Sequence, residues 1–391
     1  MSGFCVQTGL DLFIRETGPF RGRRIALIAN QTSVTGDLRY SWDVLQAAGL
    51  DMRRIFSPEH GLFSTEQDQV PVGDQPRPFP EVVSLYGSGY DSLSPGEGSL
   101  DDLDLVLFDI QDVGARYYTY LNTLILFMQA AAGRDLEIMV LDRPNPLGGQ
   151  SVEGPLLRAG YESFVGLLPV PVRHGLTAGE TALLAKDVLK LDISLRVLPM
   201  KGWRREMYFD DTGLLWVPPS PNMPNLETAL VYPGFCLIEG TSLSEGRGTT
   251  TPFQLTGAPF ICPGELAAEL NRLDLPGVYF RPVHFKPSFH KFSGLVAGGI
   301  FTHVTDRTAL RSFHSGVKVV ETVKRIYGDS MRFLRDVYEF NTDHPAFDLL
   351  AGSGDIREAI EGGQSPGISP SLWEREERDF REFREKFLLY K

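Results

Sequence analysis

Acidic residues, a histidine and an arginine directly follow two apolar runs in the first third of the sequence. Glu59 and His60 come after MRRIFSP, whereas Asp109, Asp112 and Arg116 come after LDLVLF. A carboxylate in an apolar setting is costly unless a partner or a reaction uses it, and Asp109 ends the most apolar predicted strand. Two carboxylic acids that meet in one crevice can act as proton donor and as base or nucleophile, the chemistry that cleaves glycosidic bonds.

The elements that must position these residues alternate between strands and helices, which predicts an α/β fold with a mostly parallel sheet. The predicted strands are RIALIA, RRIFS, EVVSLY, LDLVLFDI, EIMVLD, PVPVR and LRVLPM. The predicted helices are YSWDVLQAAGL, TYLNTLILFMQAAAG and AGETALLAKDVLKL, in which apolar residues recur at helical spacing. Because loops at the carboxyl ends of parallel strands meet at one edge of the sheet, we expect the polar strand exits to share a rim.

The length of the chain predicts two domains. Its 391 residues exceed the roughly 250 to 300 residues at which a single core stops growing. The composition changes near Trp203, Trp216 and VPPSPNMPN, and proline-rich segments often lie between domains. We predict an α/β domain over residues 1–215 and a smaller α+β domain over residues 216–391. The last segment, SLWEREERDFREFREKFLLY, has the pattern of a helix that docks on the protein.

The composition argues against several partners and sites. A net charge of −12 does not suit a nucleic-acid or anionic-membrane partner, since both require a basic surface. Three cysteines without a CxxC pair, and histidines without HxH or HExxH spacing, predict neither a disulfide framework nor a metal site. The opening MSGFCVQTGLDLFIRE lacks the features of a signal peptide, and no apolar run reaches the ~20 residues of a membrane span. We therefore expect a cytoplasmic protein.

Other polar strand exits and one glycine-rich segment supply further candidate residues. D-R-P-N-P contains Asp142, Arg143 and Asn145, R-H-G-L-T-A-G-E contains His174, and E-G-T-S-L-S-E-G-R-G-T-T contains Glu239, Glu245 and Arg247. Glycines in the last segment would let the backbone approach a ligand. Tyr86, Tyr118 and Tyr120 supply aromatic surface for a sugar.

Each of these features has a structural alternative. Glu59 has the alternative of a helix-capping or turn residue, Asp112 that of a helix cap, and Asn145 that of a turn residue. The glycine-rich segment is also typical of a turn between domains, and Thr177 with Glu180 has the spacing of a capping box. The segment lacks the Gly-Lys-Ser/Thr of a P-loop, so carboxylate chemistry is favoured.

Seven ordered motifs resemble those of the NamZ-type exo-β-N-acetylmuramidases, a glycosidase family long catalogued as a domain of unknown function. The motifs are S-P-E-H-G, D-I-Q-D-V-G-A-R-Y-Y-T-Y, D-R-P-N-P-L-G-G, H-G-L-T-A-G-E, P-S-P-N-M-P, E-G-T-S-L-S-E-G-R-G-T-T-T-P-F and F-R-E-K-F-L-L-Y. The resemblance implies a Rossmann-like N-terminal domain, a smaller C-terminal domain, an active site in the cleft between them, and no metal or organic cofactor.

The resemblance also implies an activity and a set of site residues. The family removes N-acetylmuramic acid from the non-reducing end of peptidoglycan fragments, so the expected substrate is a muropeptide or a MurNAc-GlcNAc fragment. Glu59 is the expected proton donor, with Asp109 or Asp112 by preference, or Glu239 or Glu245, as base or nucleophile. The expected substrate-binding residues are His60, Arg116, Tyr120, Asp142, Arg143, Asn145, His174, Asn222, Glu239, Glu245 and Arg247.

An arginine would bind the lactyl carboxylate in a bidentate manner and so distinguish muramic acid from glucosamine. Carboxyl groups about 5 Å apart would retain the anomeric configuration, and groups about 6.5 to 9.5 Å apart would invert it. Assistance by the substrate's acetamido group is a third possibility. Two other classes stay open, a muropeptide-binding sensor without turnover and a nucleotide- or phosphate-using α/β enzyme. The sequence makes no prediction of oligomeric state.

Overall fold

A six-stranded parallel sheet forms the centre of the computed structural model, which describes residues 5–73, 80–363 and 369–391. With strands numbered along the chain, the order across the sheet is β3-β2-β1-β4-β5-β8. The strands are β1 (Arg24–Ala29), β2 (Asp51–Ser57), β3 (Glu81–Ser84), β4 (Leu105–Asp109), β5 (Glu137–Leu141) and β8 (Ser194–Leu198). The parallel sheet predicted from the strand and helix alternation is confirmed.

Both faces of this sheet are covered because alternate residues of its central strands are apolar on each side. In β1, Ala26 and Ile28 belong to one core and Ile25 and Leu27 to the other. The covering helices are α1 (Gly9–Phe13), α2 (Ser41–Ala47), α3 (Thr119–Ala131) and α4 (Ala178–Val188). The capping box predicted at the start of α4 is present. Within the described ranges, every helix is too short or too polar to cross a bilayer.

One predicted strand of the sheet is wrong. The PVPVR segment does form β7 (Pro171–Arg173), but it pairs in antiparallel fashion with β6 (Glu153–Leu156) in a separate two-stranded sheet. A parallel neighbour requires a crossover, usually through a helix. Residues 142–170 contain no helix, so the chain cannot make that connection here.

The C-terminal half has the predicted α+β character. Strands β9 (Leu255–Ala258), β10 (Val278–Phe285) and β11 (Ala297–Val304) form an antiparallel sheet in the order β10-β11-β9. The accompanying helices are α5 (Leu226–Phe235), α6 (Pro263–Asn271), α7 (Ser312–Tyr327), α8 (Ala346–Ala351) and α9 (Asp355–Glu361). The Rossmann-like α/β region followed by a smaller α+β region is thus confirmed, and the boundary at residue 215 stays a prediction.

The end of the chain returns to the first half. Helix α10 (Glu374–Arg384) packs on the β6–β7 sheet with Trp373 and Phe380 buried, whereas Phe383 is 41% exposed. Beyond the helix, Tyr390 OH donates a 2.6 Å hydrogen bond to the buried carboxylate of Asp142, which directly follows β5. The last residues therefore stabilise a strand exit of the parallel sheet.

Tyr390→Phe should lower the free energy of unfolding by about 1–3 kcal/mol, because it removes one donor from the buried Asp142 carboxylate and leaves the buried N–H of Met200 without its acceptor. Urea unfolding followed by circular dichroism measures the change. Tyr279→Phe is the matched control, since Tyr279 is 52% exposed and the substitution there should change stability by less than about 0.5 kcal/mol. Equal effects of the two substitutions would contradict the role given to the tail.

Candidate active site

A cavity that opens to solvent, with about 450 Å³ of empty space when that solvent is included, lies where the exits of β2 and β4 meet the C-terminal half of the chain. Carboxylates and aromatic rings dominate its lining, which consists of Glu59, His60, Asp68, Tyr117, Tyr118, Thr119, Val165, Ser220, Asn222, Met223, Tyr232, Glu239, Arg247, Phe253, Tyr338 and Glu339.

Fewer strand exits of the parallel sheet line the cavity than the sequence predicts. Residues that follow β2 and β4 line the cavity, whereas the described residues at the exits of β1, β3, β5 and β7 do not. Neighbouring strands lie about 4.8 Å apart, so a sheet of this width is much broader than one sugar-sized cavity. β7 moreover lies outside the parallel sheet.

A sharp turn after β2 places Glu59 in the cavity. His60 and Gly61 have φ values of 68° and 79°, so the chain reverses directly after Glu59, whose side chain is 4% exposed. Thr119, the first residue of α3, donates a hydrogen bond of 2.7 Å from Oγ1 to Glu59 Oε2. The backbone N–H of Gln69 donates a longer one, of 3.4 Å, to Oε1. Both donors fix the orientation of this carboxyl group in the cavity.

Arg247 provides the positive charge of the cavity wall. Its Nη2 donates to Glu239 Oε1 at 2.6 Å, and its Nη1 lies 3.1 Å from Asp68 Oδ1. The guanidinium lies 5.2 Å from the centre of the Phe253 ring, a favourable cation–π distance. Burial would lower the pKa of Arg247, but the charges of Glu239 and Asp68 outweigh it and raise that pKa well above its usual range. Burial raises the pKa of Glu239, against the charge of Arg247.

The glycines beside Arg247 meet protein backbone rather than a ligand. Gly246 and Gly248 have φ values of 80° and 78°, which favour glycine. A Cβ atom on Gly248 would lie 2.6 Å from the carbonyl oxygen of Phe289, and one on Gly246 would lie 2.9 Å from Leu255 Cβ. These glycines therefore allow close packing next to Arg247, whereas the sequence predicts that they let the backbone approach a ligand.

Glu245 lies behind Arg247 and does not line the cavity. It is fully buried and pairs with Lys291 Nζ at 3.0 Å and His290 Nδ1 at 3.1 Å. Burial would raise the pKa of Glu245, but the charge of Lys291 and the hydrogen bond from His290 outweigh it and hold that pKa far below its usual range. Glu245 is thus a charged counter-ion of Lys291 and His290, and its expected role as base or nucleophile stays a prediction.

Several residues expected from the sequence do meet in the cavity, namely Glu59, His60, Asn222, Glu239 and Arg247. His60 Nδ1 lies 2.9 Å from the carbonyl oxygen of Glu66, which closes the loop after β2. Asn222 Nδ2 donates to Gln67 Oε1 at 2.8 Å and connects that loop with the segment between the two halves of the chain. These contacts shape the entrance on the β2 side.

The cavity also contains residues that the sequence argument did not select, among them Asp68, Thr119, Tyr338 and Glu339. Tyr338 OH donates to Glu239 Oε2 at 2.7 Å, and Tyr86 OH donates to Glu339 Oε2 at 2.9 Å. The strand-exit argument considers only the parallel sheet, whereas Y-E-F at residues 338–340 belongs to a loop of the C-terminal half. The one available signal was a glutamate between two aromatic residues.

Asp109 lies outside the cavity, in a buried ion pair. Arg143 Nε donates to Asp109 Oδ1 at 2.6 Å, and Arg143 Nη2 donates to the carbonyl of Val34 at 2.8 Å. Burial raises the pKa of Asp109, against the charge of Arg143. The pair connects the exits of β4 and β5 with the loop after β1, so the geometry gives both residues a structural role rather than the catalytic and binding roles expected for them.

Asp112 also does not line the cavity. Its Oδ2 accepts a 2.6 Å hydrogen bond from the backbone N–H of Gly114, and its Oδ1 makes no hydrogen bond with a described residue. Burial raises the pKa of Asp112 to about 7. The bond to the second residue along the chain is that of an Asx turn, which shapes the loop before α3.

Arg116 and His174 lie in a different, smaller cavity. Arg116 donates hydrogen bonds of 2.8, 2.8 and 2.9 Å to the backbone carbonyls of Pro155, Val170 and Leu350, which connect the β6–β7 region with α8. Nδ1 of His174 accepts a backbone N–H at 3.1 Å, and burial lowers the pKa of His174 to about 3, so the ring is neutral. Neither side chain is placed to bind a substrate in the cavity of Glu59.

The three remaining residues of the expected site make hydrogen bonds that involve the backbone. Asp142 accepts hydrogen bonds from Tyr390 OH at 2.6 Å and from two groups at the start of α4 at 2.7 and 2.8 Å, and burial raises the pKa of Asp142 to about 6. Asn145 closes a turn through a 2.9 Å bond from the backbone N–H two residues on. Tyr120 OH donates to the carbonyl of Pro219 beneath the segment that contains Asn222.

The described lining of the cavity therefore offers carboxylates in different environments, hydroxyl groups and one guanidinium. Over residues 5–73, 80–363 and 369–391, no three or more His, Cys, Asp or Glu side chains are grouped so that they could hold a metal ion. Carboxylate pairs of this kind can move protons to and from a sugar, and the guanidinium can bind an anionic group.

The chain is similar to known proteins over nearly its whole length. The family models of the exo-beta-N-acetylmuramidase NamZ match residues 25–227 with the N-terminal part and residues 230–390 with the C-terminal part. The peptidoglycan beta-N-acetylmuramidase NamZ of Bacillus subtilis (strain 168) is 43% identical over 390 residues, which cover 98% of this chain and 91% of that protein.

Two solved structures of DUF1343 family proteins from Bacteroides fragilis NCTC 9343 share the fold. The first has a TM-score of 0.87 and 33% identity, and the match covers 100% of both chains. The second has a TM-score of 0.76 and 30% identity, and the match covers 99% of both chains.

Asp112→Asn should stabilise the protein at neutral pH. The pKa of Asp112 is about 7 in the folded protein and about 3.9 in the unfolded chain, so the folded state binds more protons between these values. The free energy of unfolding of the parent therefore falls as the pH rises from about 4 to about 7. The asparagine variant does not titrate at this position, so its free energy of unfolding does not fall for this reason. Its free energy of unfolding should exceed the parent's by at most about 4 kcal/mol above pH 7 and match it near pH 4.

Urea unfolding across this pH range measures the difference, and turnover of the variant is measured in parallel. A loss of activity of more than about a hundredfold at unchanged stability would point to a catalytic role for Asp112.

Arg247→Met should lower the free energy of unfolding by about 3–5 kcal/mol, because it leaves Glu239 and Asp68 buried without their cation. Arg307→Met is the matched control. The Arg307 side chain is 31% exposed and pairs with the more exposed Asp210 and Asp211, so its loss should cost less than about 1 kcal/mol. Urea unfolding of both variants tests this, and similar costs would contradict the role given to Arg247.

Proposed function

Because the chain belongs to the exo-β-N-acetylmuramidase NamZ family, we propose that it releases N-acetylmuramic acid from the non-reducing end of peptidoglycan fragments, with Glu59 as a catalytic carboxylate. The observation that carries the proposal is the position of Glu59 on the wall of a cavity that it shares with further carboxylates and aromatic rings. The substrate is a small carbohydrate, either a muropeptide or a MurNAc-GlcNAc fragment.

The second carboxylate of the reaction should lie on the same cavity wall. Asp68, Glu239 and Glu339 have this position, whereas Asp109 and Asp112 do not. Asp109 is further engaged by Arg143, at 2.6 Å. The proposal therefore moves the partner of Glu59 from the exit of β4 to one of these three carboxylates.

Recognition of the lactyl carboxylate falls to Arg247 in this proposal. Arg116 and Arg143 donate to backbone carbonyls and to Asp109, outside the cavity, while Arg247 is the arginine among the described lining residues. A guanidinium that stays charged can bind a carboxylate through two parallel hydrogen bonds. A sugar without the lactyl group lacks this interaction, which supports selection of muramic acid over glucosamine.

The location that we propose is the cytoplasm. Cys5, Cys236 and Cys262 form no disulfide with one another, and two of them are exposed, which suits a reducing compartment. Such a location fits an enzyme that processes imported wall fragments. Fractionation of the native host checks it, and recovery of the activity outside the cytoplasm would contradict it.

Glu59→Gln should lower kcat/KM by about 10²–10⁴-fold, since a positioned acid or base contributes about that factor. The measurement is nitrophenol release from para-nitrophenyl β-N-acetylmuramide, with the corresponding glucosaminide as the competing substrate. The parent should cleave the muramide and largely spare the glucosaminide. Equal cleavage of both sugars would contradict the role of Arg247 in specificity.

Glu81→Gln is the control, because Glu81 is an exposed residue on the edge strand β3 and undergoes the same change of carboxylate to amide. Its activity should equal that of the parent. A parent that binds the muramide without turnover would favour the sensor function, and undiminished turnover by Glu59→Gln would remove Glu59 from the mechanism.

A further inference from the structure

Glu339 is a buried carboxylate on the wall of the cavity that contains Glu59. Its side chain makes no ion pair with any described Lys, Arg or His, and its one hydrogen bond comes from Tyr86 OH, at 2.9 Å from Oε2. An isolated buried carboxylate is unfavourable unless it is protonated or used. Glu339 therefore differs from Glu239 and Asp68, which both pair with Arg247.

The backbone at Glu339 is strained in a way that points to function. Tyr338 and Asn341 exchange backbone hydrogen bonds of 3.1 and 2.9 Å, so Glu339 and Phe340 form a two-residue turn. Their φ values are 47° and 64°, the signs of a type I′ turn, which favours Asn-Gly. Each such residue with a side chain costs roughly 1–2 kcal/mol, and strain of this kind concentrates at functional sites.

The other carboxylates on the wall have less freedom to react. Both oxygens of Glu239 are engaged, Oε1 by Arg247 at 2.6 Å and Oε2 by Tyr338 OH at 2.7 Å. Asp68 is held by Arg247 at 3.1 Å. Oε1 of Glu339, by contrast, makes no hydrogen bond with a described residue and is available to a substrate.

Glu59 and Glu339 differ in the donors that reach their side chains. Two donors, Thr119 Oγ1 and the Gln69 N–H, point at the oxygens of Glu59, whereas Tyr86 OH is the one described donor to the side chain of Glu339. Burial and then the negative charge of Glu59 raise the pKa of Glu339 well above its usual range. A carboxyl group that keeps its proton beside a second carboxyl group is typical of the acid in such a site.

We propose that Glu339 is the proton donor of the reaction and that Glu59 is the carboxylate that stays charged beside the sugar. This assignment rests on the proposed glycosidase function and reverses the role that the sequence predicts for Glu59. Tyr86 is then a positioning residue, which holds the carboxyl group of Glu339 through its hydroxyl.

Hydrolysis of the glycosidic bond begins with a proton transfer. The Glu339 carboxylic acid gives its proton to the glycosidic oxygen while the bond from the anomeric carbon to that oxygen breaks and its electron pair moves to the oxygen. The leaving sugar departs as a neutral alcohol, and the Glu59 carboxylate stabilises the positive charge that develops on the muramic acid ring. Water adds its hydroxyl group to the anomeric carbon, and its remaining proton returns to the carboxylate pair.

The test compares two substrates whose leaving groups differ in their need for a proton. Nitrophenolate departs without protonation, whereas the sugar of a MurNAc-GlcNAc disaccharide does not. Glu339→Gln should lower kcat/KM for the disaccharide by about 10²–10⁴-fold and for para-nitrophenyl β-N-acetylmuramide by less than about tenfold. Glu59→Gln should impair both substrates alike. The basic limb of the parent's pH profile should disappear in Glu339→Gln, because this limb reports deprotonation of the donor.

Asp343→Asn is the control, an exposed carboxylate on the same loop, and its activity should match that of the parent. The melting temperature of Glu339→Gln should not fall below the parent's, because the amide is neutral, as the protonated carboxyl group is, and can still accept the hydrogen bond from Tyr86. Equal loss on both substrates, or an unchanged basic limb, would overturn the assignment of Glu339 and leave the proposed function intact. A parent that cleaves neither substrate would contradict the proposed function itself.

Discussion

The buried guanidinium of Arg247 is the interaction on which the site depends. It pairs with Glu239 from its own half of the chain and with Asp68 from the loop after β2, so it joins the two sides of the cleft through charge. Removing ions from water costs several kcal/mol per ion, and only close geometry and additional hydrogen bonds offset this cost. The Phe253 ring and the Tyr338 hydroxyl supply such contacts here.

This arrangement divides the acidic residues of the site into two groups. Asp68, Glu239 and Glu245 pair with cations, whereas Glu59 and Glu339 make no ion pair with any Lys, Arg or His that the structure describes. An acidic protein can thus hold an anionic sugar near one guanidinium and still keep carboxyl groups free for proton transfer. The same division explains why burial alone does not identify a catalytic acid.

Most of the parallel sheet could be predicted because its strands are short apolar runs separated by clear helices. The PVPVR segment misled the prediction because apolar composition does not reveal which partner a strand will pair with. The site could be predicted only in part. Glu59 was accessible through its place after β2, but Asp109 has the same kind of place and is neutralised by Arg143 from the next strand exit.

Pattern alone could not separate these two cases, since an ion pair between distant residues leaves no local signal. The resemblance to a family identified Asn222, which composition and spacing did not. Neither the residue pattern nor the resemblance identified Glu339. Its position depends on a strained turn and on a hydrogen bond from Tyr86 that forms only when the chain is folded.

The bond between Tyr390 and Asp142 has a consequence for biosynthesis. The two residues are 248 positions apart, and ribosomes add about 5–20 residues per second, so the acid waits roughly 12 to 50 s for its partner. During translation the nascent parallel sheet therefore carries a buried acid at the exit of β5 that has its donors from the start of α4 but still lacks Tyr390. Completion of that half of the molecule is a late event, which couples its final maturation to release of the finished polypeptide.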